Sequence, residues 1–274
     1  MKKFLQIFFL ILTVSVVSCS KSSDSNNPPS PPTPTPDEPL QKIDEATTND
    51  GNFVVDVYGY MNYFQGYNLL FFAIKDKDDK IVKSAEINLS LIITDVEGTH
   101  NLPVDDPAQA ADENDHFGGG VVFLYPNGND VSYSMTVEVK ANGIDDIATF
   151  TPKPVSTFYN RADKFASKID GKNIITSIVA PITVGKGEAH HLKFYVAREI
   201  SDNVWEPYSG LIAYALIDKN ESSKFDLSFV KDKFYSYSQA ITYPTAGKVN
   251  YYLYLQSDDK DVNDPTEYTV DVLE

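Results

Sequence analysis

Cysteine is almost absent: Cys19 is the only one in 274 residues. A lone thiol excludes the disulfide framework that exported chains ordinarily build from paired cysteines. Histidine is scarce as well, four in all, with His190 and His191 adjacent. No Gly-x-Ser-x-Gly elbow, no His-Glu-x-x-His and no free cysteine nucleophile occur, so the chain reads as a non-enzyme. Positive charge is in deficit, with 23 Lys and Arg against 39 Asp and Glu and a net charge of −16. Such acidity excludes nucleic acid and adsorption to anionic lipid surfaces. Long helical periods are missing, and no apolar run reaches the roughly 20 residues that cross a bilayer.

What is present begins at the N-terminus. Lys2 and Lys3 precede an apolar run from Phe4 to Val17, closed by the small Ser18. That is the layout of a cleaved secretory signal over residues 1–18. Its end, Val16-Val17-Ser18-Cys19, matches the bacterial lipobox, in which the cysteine thiol takes a diacylglyceryl group. Cys19 is therefore expected to be the lipidation site, with two or three acyl chains (palmitate among them) holding the chain to a membrane. Loss of Lys2 and Lys3 with the signal takes the net charge from −16 to −18. Residues 19–50 read as the acylated Cys and a Pro/Ser-rich linker. Its stretch Pro28 to Pro36, Pro-Pro-Ser-Pro-Pro-Thr-Pro-Thr-Pro, favours an extended polyproline II spacer. The expected location is the cell envelope, with the outer membrane, facing periplasm or surface, as the anchoring layer.

The rest of the chain contains a repeat. Phe117 to Pro126 leads through a Gly128 turn to Val131–Val139, and Tyr235 to Pro244 leads through Gly247 to Val249–Leu255. Tyr67 to Lys75 corresponds to Glu188 to Arg198, and Glu86 to Thr94 corresponds to Leu211 to Asp218. A period of about 118 residues signals duplicated domains, because solenoid repeats run about 20–50 residues. Within the repeat, Val131, Tyr133, Met135, Val137 and Val139 alternate with Ser132, Ser134, Thr136, Glu138 and Lys140. Alternate side chains point to opposite faces, which gives a strand with one dry and one wet side. The expected fold is all-β, two tandem immunoglobulin-like β-sandwiches. They are placed at 51–152 and 171–274, with a connection over 153–170 that includes a helical turn near Arg161 to Ser167.

The first half resembles the YtkA/FixH-like family of small immunoglobulin-like domains in Bacteroidetes-type lipoproteins. The resemblance lies in Gly66 to Asp76, Ala85 to Leu89, and Gly119 to Tyr125 with the strand after it. The second half resembles a diverged copy. Some members carry a Met- and His-rich loop that implies a soft-metal or copper site. Here the loop reads Ile92-Ile93-Thr94-Asp95-Val96-Glu97-Gly98-Thr99-His100: His100 matches, and the methionines are absent.

Two candidate sites follow. A divalent metal would use His100 and His116 with Asp95 and Glu97, since imidazole with carboxylates suits zinc and similar ions. A ligand platform would use Tyr252, Tyr254, Tyr195 and Trp205, whose rings suit sugars or a protein surface. The leading reading is a membrane-anchored, non-catalytic binding or scaffolding lipoprotein without a cofactor. Its partners would be the membrane, through the N-terminal lipid, and another envelope protein or a glycan. The alternatives are metal handling and glycan capture.

Overall fold

The computed structural model describes residues 39–274, apart from 106, 108, 109, 182, 233 and 234. Cys19 and the signal lie outside the described residues. The alternating segments become strands because each can bury one face. In the first half these are β1 (Gln41–Thr47), β2 (Phe53–Gly59), β3 (Gly66–Asp76), β4 (Glu86–Asp95) and β5 (Gly98–Leu102). They continue with β6 (Val104–Asp105), β7 (Phe117–Phe123), β8 (Ser132–Ala141) and β9 (Ile144–Phe150). One sheet runs β1-β2-β3-β7-β6 and the facing sheet β5-β4-β8-β9. Between them lie Val57, Phe72, Ile87, Phe117, Met135, Val137 and Val139, all fully buried. Met135 is thus a core residue.

The second half holds β10 (Ala162–Ala166), β11 (Asn173–Ala180), β12 (Thr183–Gly185), β13 (Ala189–Ser201), β14 (Val204–Pro207) and β15 (Ile212–Ile217). Then come β16 (Lys224–Asp232), β17 (Tyr235–Thr242), β18 (Gly247–Ser257), β19 (Lys260–Asp261) and β20 (Thr266–Leu273). The strands form a continuous path, β10-β11-β13-β17-β16-β15-β18-β20-β12. It folds into two layers because β16 changes sheets. Its Lys224 to Leu227 pair with β15, while Ser228, Phe229 and Asp232 pair with β17. A strand that switches sheets makes the corner of a sandwich.

The neighbours match across the two halves. β2-β3-β7 faces β5-β4-β8-β9 as β11-β13-β17 faces β16-β15-β18-β20. Register matches too, with Ile93 opposite Tyr133 and Ile217 opposite Tyr251. Tyr133 also makes the corner typical of immunoglobulin-like folds. Its hydroxyl donates to the Tyr125 carbonyl at 2.8 Å and accepts the Tyr125 N–H at 2.9 Å. The protein is all-β, built as two immunoglobulin-like sandwiches, and no α-helix occurs among the described residues.

Two stretches differ from expectation. Gln41–Thr47, read as linker, is a strand paired with β2. It is polar because it lies at a sheet edge, where only Ile43 and Ala46 pack against the core. Around Arg161 to Ser167 the expected helical turn is replaced by β10, whose Ala162 to Ala166 pair with Ser177 to Asn173.

The halves are joined by a further apolar layer. Ala162, Ile175, Tyr195 and Ala197 are buried in the same cluster as the first core. Tyr67 and Tyr195 rings meet at 5.3 Å. The Tyr67 N–H donates to Ser177 Oγ at 2.9 Å, and Ser177 Oγ donates to the Arg161 carbonyl at 2.6 Å. Gly66 is obligatory here: it has φ +117°, and a Cβ would stand 2.6 Å from Arg161 Cβ. Arg161 is 4% exposed, and its burial lowers the guanidinium pKa to about 10.

Candidate functional site

The β4–β5 hairpin carries the first candidate. Its tip is shaped by Asp95, whose Oδ1 accepts the Glu97 N–H at 2.8 Å, and by Gly98 at φ +121°. Antiparallel register then places His100 opposite Ile93, one strand across from Asp95. Ligand atoms of Asp95, Glu97 and His100 all lie within 4.8 Å of one another. His100 Nε2 is 3.9 Å from Asp95 Oδ1, buried, and without a hydrogen bond. The side chain of Asp95 is 11% exposed and that of Glu97 68%. One imidazole with two carboxylates is a borderline-hard donor set, matching zinc or a similar divalent ion.

Asp95 and His100 line a cleft where the two sandwiches meet. It is a small cleft, open to solvent, with Asp95, His100, Tyr125, Lys164, Glu199 and Trp205 on its walls. Three hydrogen bonds join the sandwiches beside it. Trp205 Nε1 donates to the Asn101 carbonyl at 2.9 Å, and the Asn101 backbone and side-chain nitrogens donate to Asn203 at 3.2 Å each. From the second sandwich, Lys164 Nζ approaches Glu97 at 3.6 Å. That ammonium is a competing cation for any metal at the hairpin.

His116 does not join this group. It stands before β7, its ring 4.9 Å from Tyr58 and 6.4 Å from Phe71, with a buried Nδ1 that has no hydrogen bond. Its backbone N–H and that of Asn114 are held by Asp112, so this acid organises a turn. Asp105 accepts the Tyr67 hydroxyl at 3.1 Å. The expected four-residue ligand set therefore reduces to three, because β4 and β7 lie in opposite sheets.

The tyrosine platform is also redistributed. Tyr195 is 2% exposed, buried in the inter-sandwich layer, and Trp205 is tied to Asn101 at the cleft. An aromatic on the outer face of one sandwich can still be interior when another sandwich covers it. Tyr252 and Tyr254 face outward from β18, opposite the fully buried Tyr251, Leu253 and Leu255. Tyr254 meets a partner that sequence reasoning missed, Tyr214 of β15. The two are register neighbours, and their rings stack at 4.9 Å with 3° between planes. Its signal was the odd member in Ala213-Tyr214-Ala215, where both alanines point inward.

Ring separation here equals the strand spacing of about 4.8 Å, so the rings stand on edge across the sheet. Lys224 Nζ lies 4.2 Å over Tyr214, and Lys219 Nζ lies 4.7 Å over Tyr252. Lys224 and Tyr254 thus engage Tyr214 from both sides, while Tyr252 and Tyr254 have one partner each. Solvent meets their edges and hydroxyls, amid the charges of Asp226 and Glu267.

No family model matches the chain, and no curated protein matches it. Among solved structures, FdeC, described as a broadly conserved Escherichia coli adhesin, is similar over 86% of this chain. The identity is 13%, the TM-score 0.26, and the likeness spans 66% of that chain. At such a score it carries no argument. The fold rests on the pairings described above, and the resemblance to YtkA/FixH-like domains rests on residues alone.

Proposed function

We propose that this chain is a lipid-anchored, non-catalytic binding module of the cell envelope, displaying the outer face of β15 and β18 to a protein partner. The observation that carries the reading is the Tyr214–Tyr254 stack, an ordered aromatic ridge on an outward sheet face. Ordered tyrosines supply contact area at low entropic cost and are favoured at protein interfaces. Occupation of Tyr214 from both sides favours protein over sugar, which needs a free face to stack on. Support for anchoring is the lipobox-like run ending at Cys19. The inter-sandwich layer gives the ridge a rigid mount.

A photo-crosslinking residue in place of Tyr252 tests this in intact cells. A discrete protein adduct is expected, lost in the Tyr214→Ser/Tyr254→Ser double variant while its melting temperature holds. Adducts unaffected by the double variant, or binding of that face to a glycan array, would remove the protein-partner reading. Mass spectrometry of the membrane form is expected to find a diacylglyceryl group on Cys19.

A second reading is favoured by one observation, the buried, unpartnered His100 Nε2 beside Asp95 and Glu97. Divalent metal would be held there by these three residues, displacing Lys164 from Glu97. Calorimetry with zinc, copper and calcium is the measurement. Saturable heat that disappears in His100→Ala supports the site, and absence of heat with all three ions removes it.

A further inference from the structure

β8 and β9 are joined by the tightest connection a hairpin allows. Ala141 pairs with Ile144, so Asn142 and Gly143 alone make the turn. Both adopt positive φ, 55° and 77°, a region that Asn and Gly tolerate better than other residues. Both are exposed, and no atom lies within 4 Å of where a Cβ on Gly143 would stand. Such a turn closes through its flanking pair, here Ala141 and Ile144. The Gly143 N–H is left without a hydrogen bond among the described residues.

An Asn followed by Gly has a reaction of its own. The backbone nitrogen of the second residue attacks the side-chain carbonyl carbon of the first. A bond forms between that nitrogen and Cγ, the Cγ–Nδ2 bond breaks, and ammonia leaves carrying the proton of the attacking nitrogen. Water then opens the five-membered imide at one carbonyl to give Asp, or at the other to give iso-Asp. Glycine favours the attack because no side chain crowds its nitrogen. A nitrogen whose hydrogen already serves a hydrogen bond is held back from it.

Four Asn-Gly or Asp-Gly steps occur in the chain, and the structure separates them. The Gly51 N–H donates to the Thr48 carbonyl at 2.9 Å, and the Gly171 N–H to the Ser167 carbonyl at 2.8 Å. Both follow aspartates, whose carboxylates are poor targets for a nucleophile. Asn127 precedes Gly128, whose N–H donates to the Val131 carbonyl at 3.1 Å, and Asn127 is itself tied to the Pro154 carbonyl at 2.8 Å. Of the four glycines, Gly143 alone keeps its nitrogen free.

From this difference we infer that Asn142 is a site of spontaneous deamidation in the folded protein, with water as the co-reactant. Ring closure turns Asn142 out of its positive-φ position, which the open tip permits. The product adds a negative charge to a hairpin that already holds Asp145 and Asp146, and the iso form adds a main-chain methylene to a turn built for two residues. β9 receives both effects. Its Asp146 accepts the Asp50 N–H at 3.1 Å, and its Ile147 carbonyl accepts the Asn49 N–H at 2.9 Å. The seam between β9 and the turn before β2 therefore loosens as the protein ages.

The test incubates the full mature chain, made soluble by Cys19→Ser, at mildly alkaline pH. Tryptic peptides are then read by mass spectrometry, with fragmentation to place each acid. Asn142 is expected to convert several-fold faster than Asn127 in the folded chain, giving both Asp and iso-Asp. In urea the two rates should converge, because the fold is what separates them. Equal rates in the folded chain would overturn the inference, as would an Asn142 that stays intact until urea is added. A gap that persists in urea would trace the difference to local sequence and overturn it equally.

Discussion

The two sandwiches share a strand order but close the same corner differently. In the first, the Tyr133 hydroxyl spans the Tyr125 N–H and C=O, so the loop between β7 and β8 is pinned by two hydrogen bonds. In the second, Tyr251 occupies the equivalent place opposite Ile217, yet its buried hydroxyl makes no such bond. A different tyrosine ties the opposite end of that sandwich: Tyr237 on β17 donates to the Tyr208 carbonyl at 2.9 Å and accepts the Leu211 N–H at 3.2 Å, in the loop that enters β15. The comparison teaches that the sandwich closes with or without a phenol pinned to the loop at this end, and that a phenol-to-backbone tie can serve either end.

The largest expected effect comes from breaking the first corner. Tyr133→Phe leaves the Tyr125 N–H and C=O without their partner in a partly buried loop. Loss of one partner costs about 1–3 kcal/mol, read as a lower urea midpoint. Tyr237→Phe is expected to cost a similar amount for the same reason. A change below about 0.5 kcal/mol in Tyr133→Phe, the range of ordinary surface substitutions, would show that the corner is geometric rather than energetic.

Much of this was legible in the sequence, for a physical reason. Strands that bury one face against a facing sheet must alternate, and Val131 to Val139 therefore announces β8 with its inward set correct. β1 was not legible, because an edge strand that buries little has no alternation to display. Tyr195 was misplaced because periodicity reports which side of its own sheet a residue occupies. It says nothing about a second sandwich lying over that side. Asp95, Glu97 and His100 were legible because a hairpin brings nearby residues together. His116 depended on which sheet β7 joins, a long-range fact that residue types do not encode.

Acid offers the next separation of the halves. In the first, Asp146 is 4% exposed and braces the turn before β2. Burial opposes its charge, but hydrogen bonds from Thr48, the Asp50 and Ile147 N–H groups and Asn52 hold its carboxyl well below the usual range. Asp56 is held low in the same sense, burial being outweighed by the Lys42 and Lys75 ammonium groups. In the second, Asp170 in the turn before β11 is also held low, hydrogen bonds from Ser167 and the Lys172 N–H outweighing burial, but it is exposed. The buried brace of β18 is neutral: Asn263 accepts the Leu255 N–H at 2.9 Å and donates to the Leu253 carbonyl at 3.0 Å. A carboxyl depressed by folding stabilises fully above its unfolded pKa, about 3.9. That contribution is lost as pH falls toward the folded value. Amide exchange in Phe53–Gly59, corrected for intrinsic rates, should therefore accelerate between about pH 5 and pH 3, and β18 amides should change less. Asp146→Asn is expected to reduce that pH dependence. Equal acceleration in both halves would place the acid-sensitive groups elsewhere.

The smallest effect is the most discriminating. Tyr251 and Tyr243 rings meet edge-on at 6.3 Å, and burial pushes both hydroxyls upward in pKa. Neither oxygen has a hydrogen-bond partner of sound geometry. A buried hydroxyl without a partner is a desolvation cost with no return. Tyr251→Phe removes that oxygen, keeps the ring against Leu253 and Tyr268, and orphans nothing on the backbone. The expected stability change is within about 0.5 kcal/mol and directed toward stabilisation, against a clear loss for Tyr133→Phe measured in the same way. A loss as large as that of Tyr133→Phe would mean that the Tyr243–Tyr251 pair carries a real bond, and that the second half retains the same corner made between two side chains.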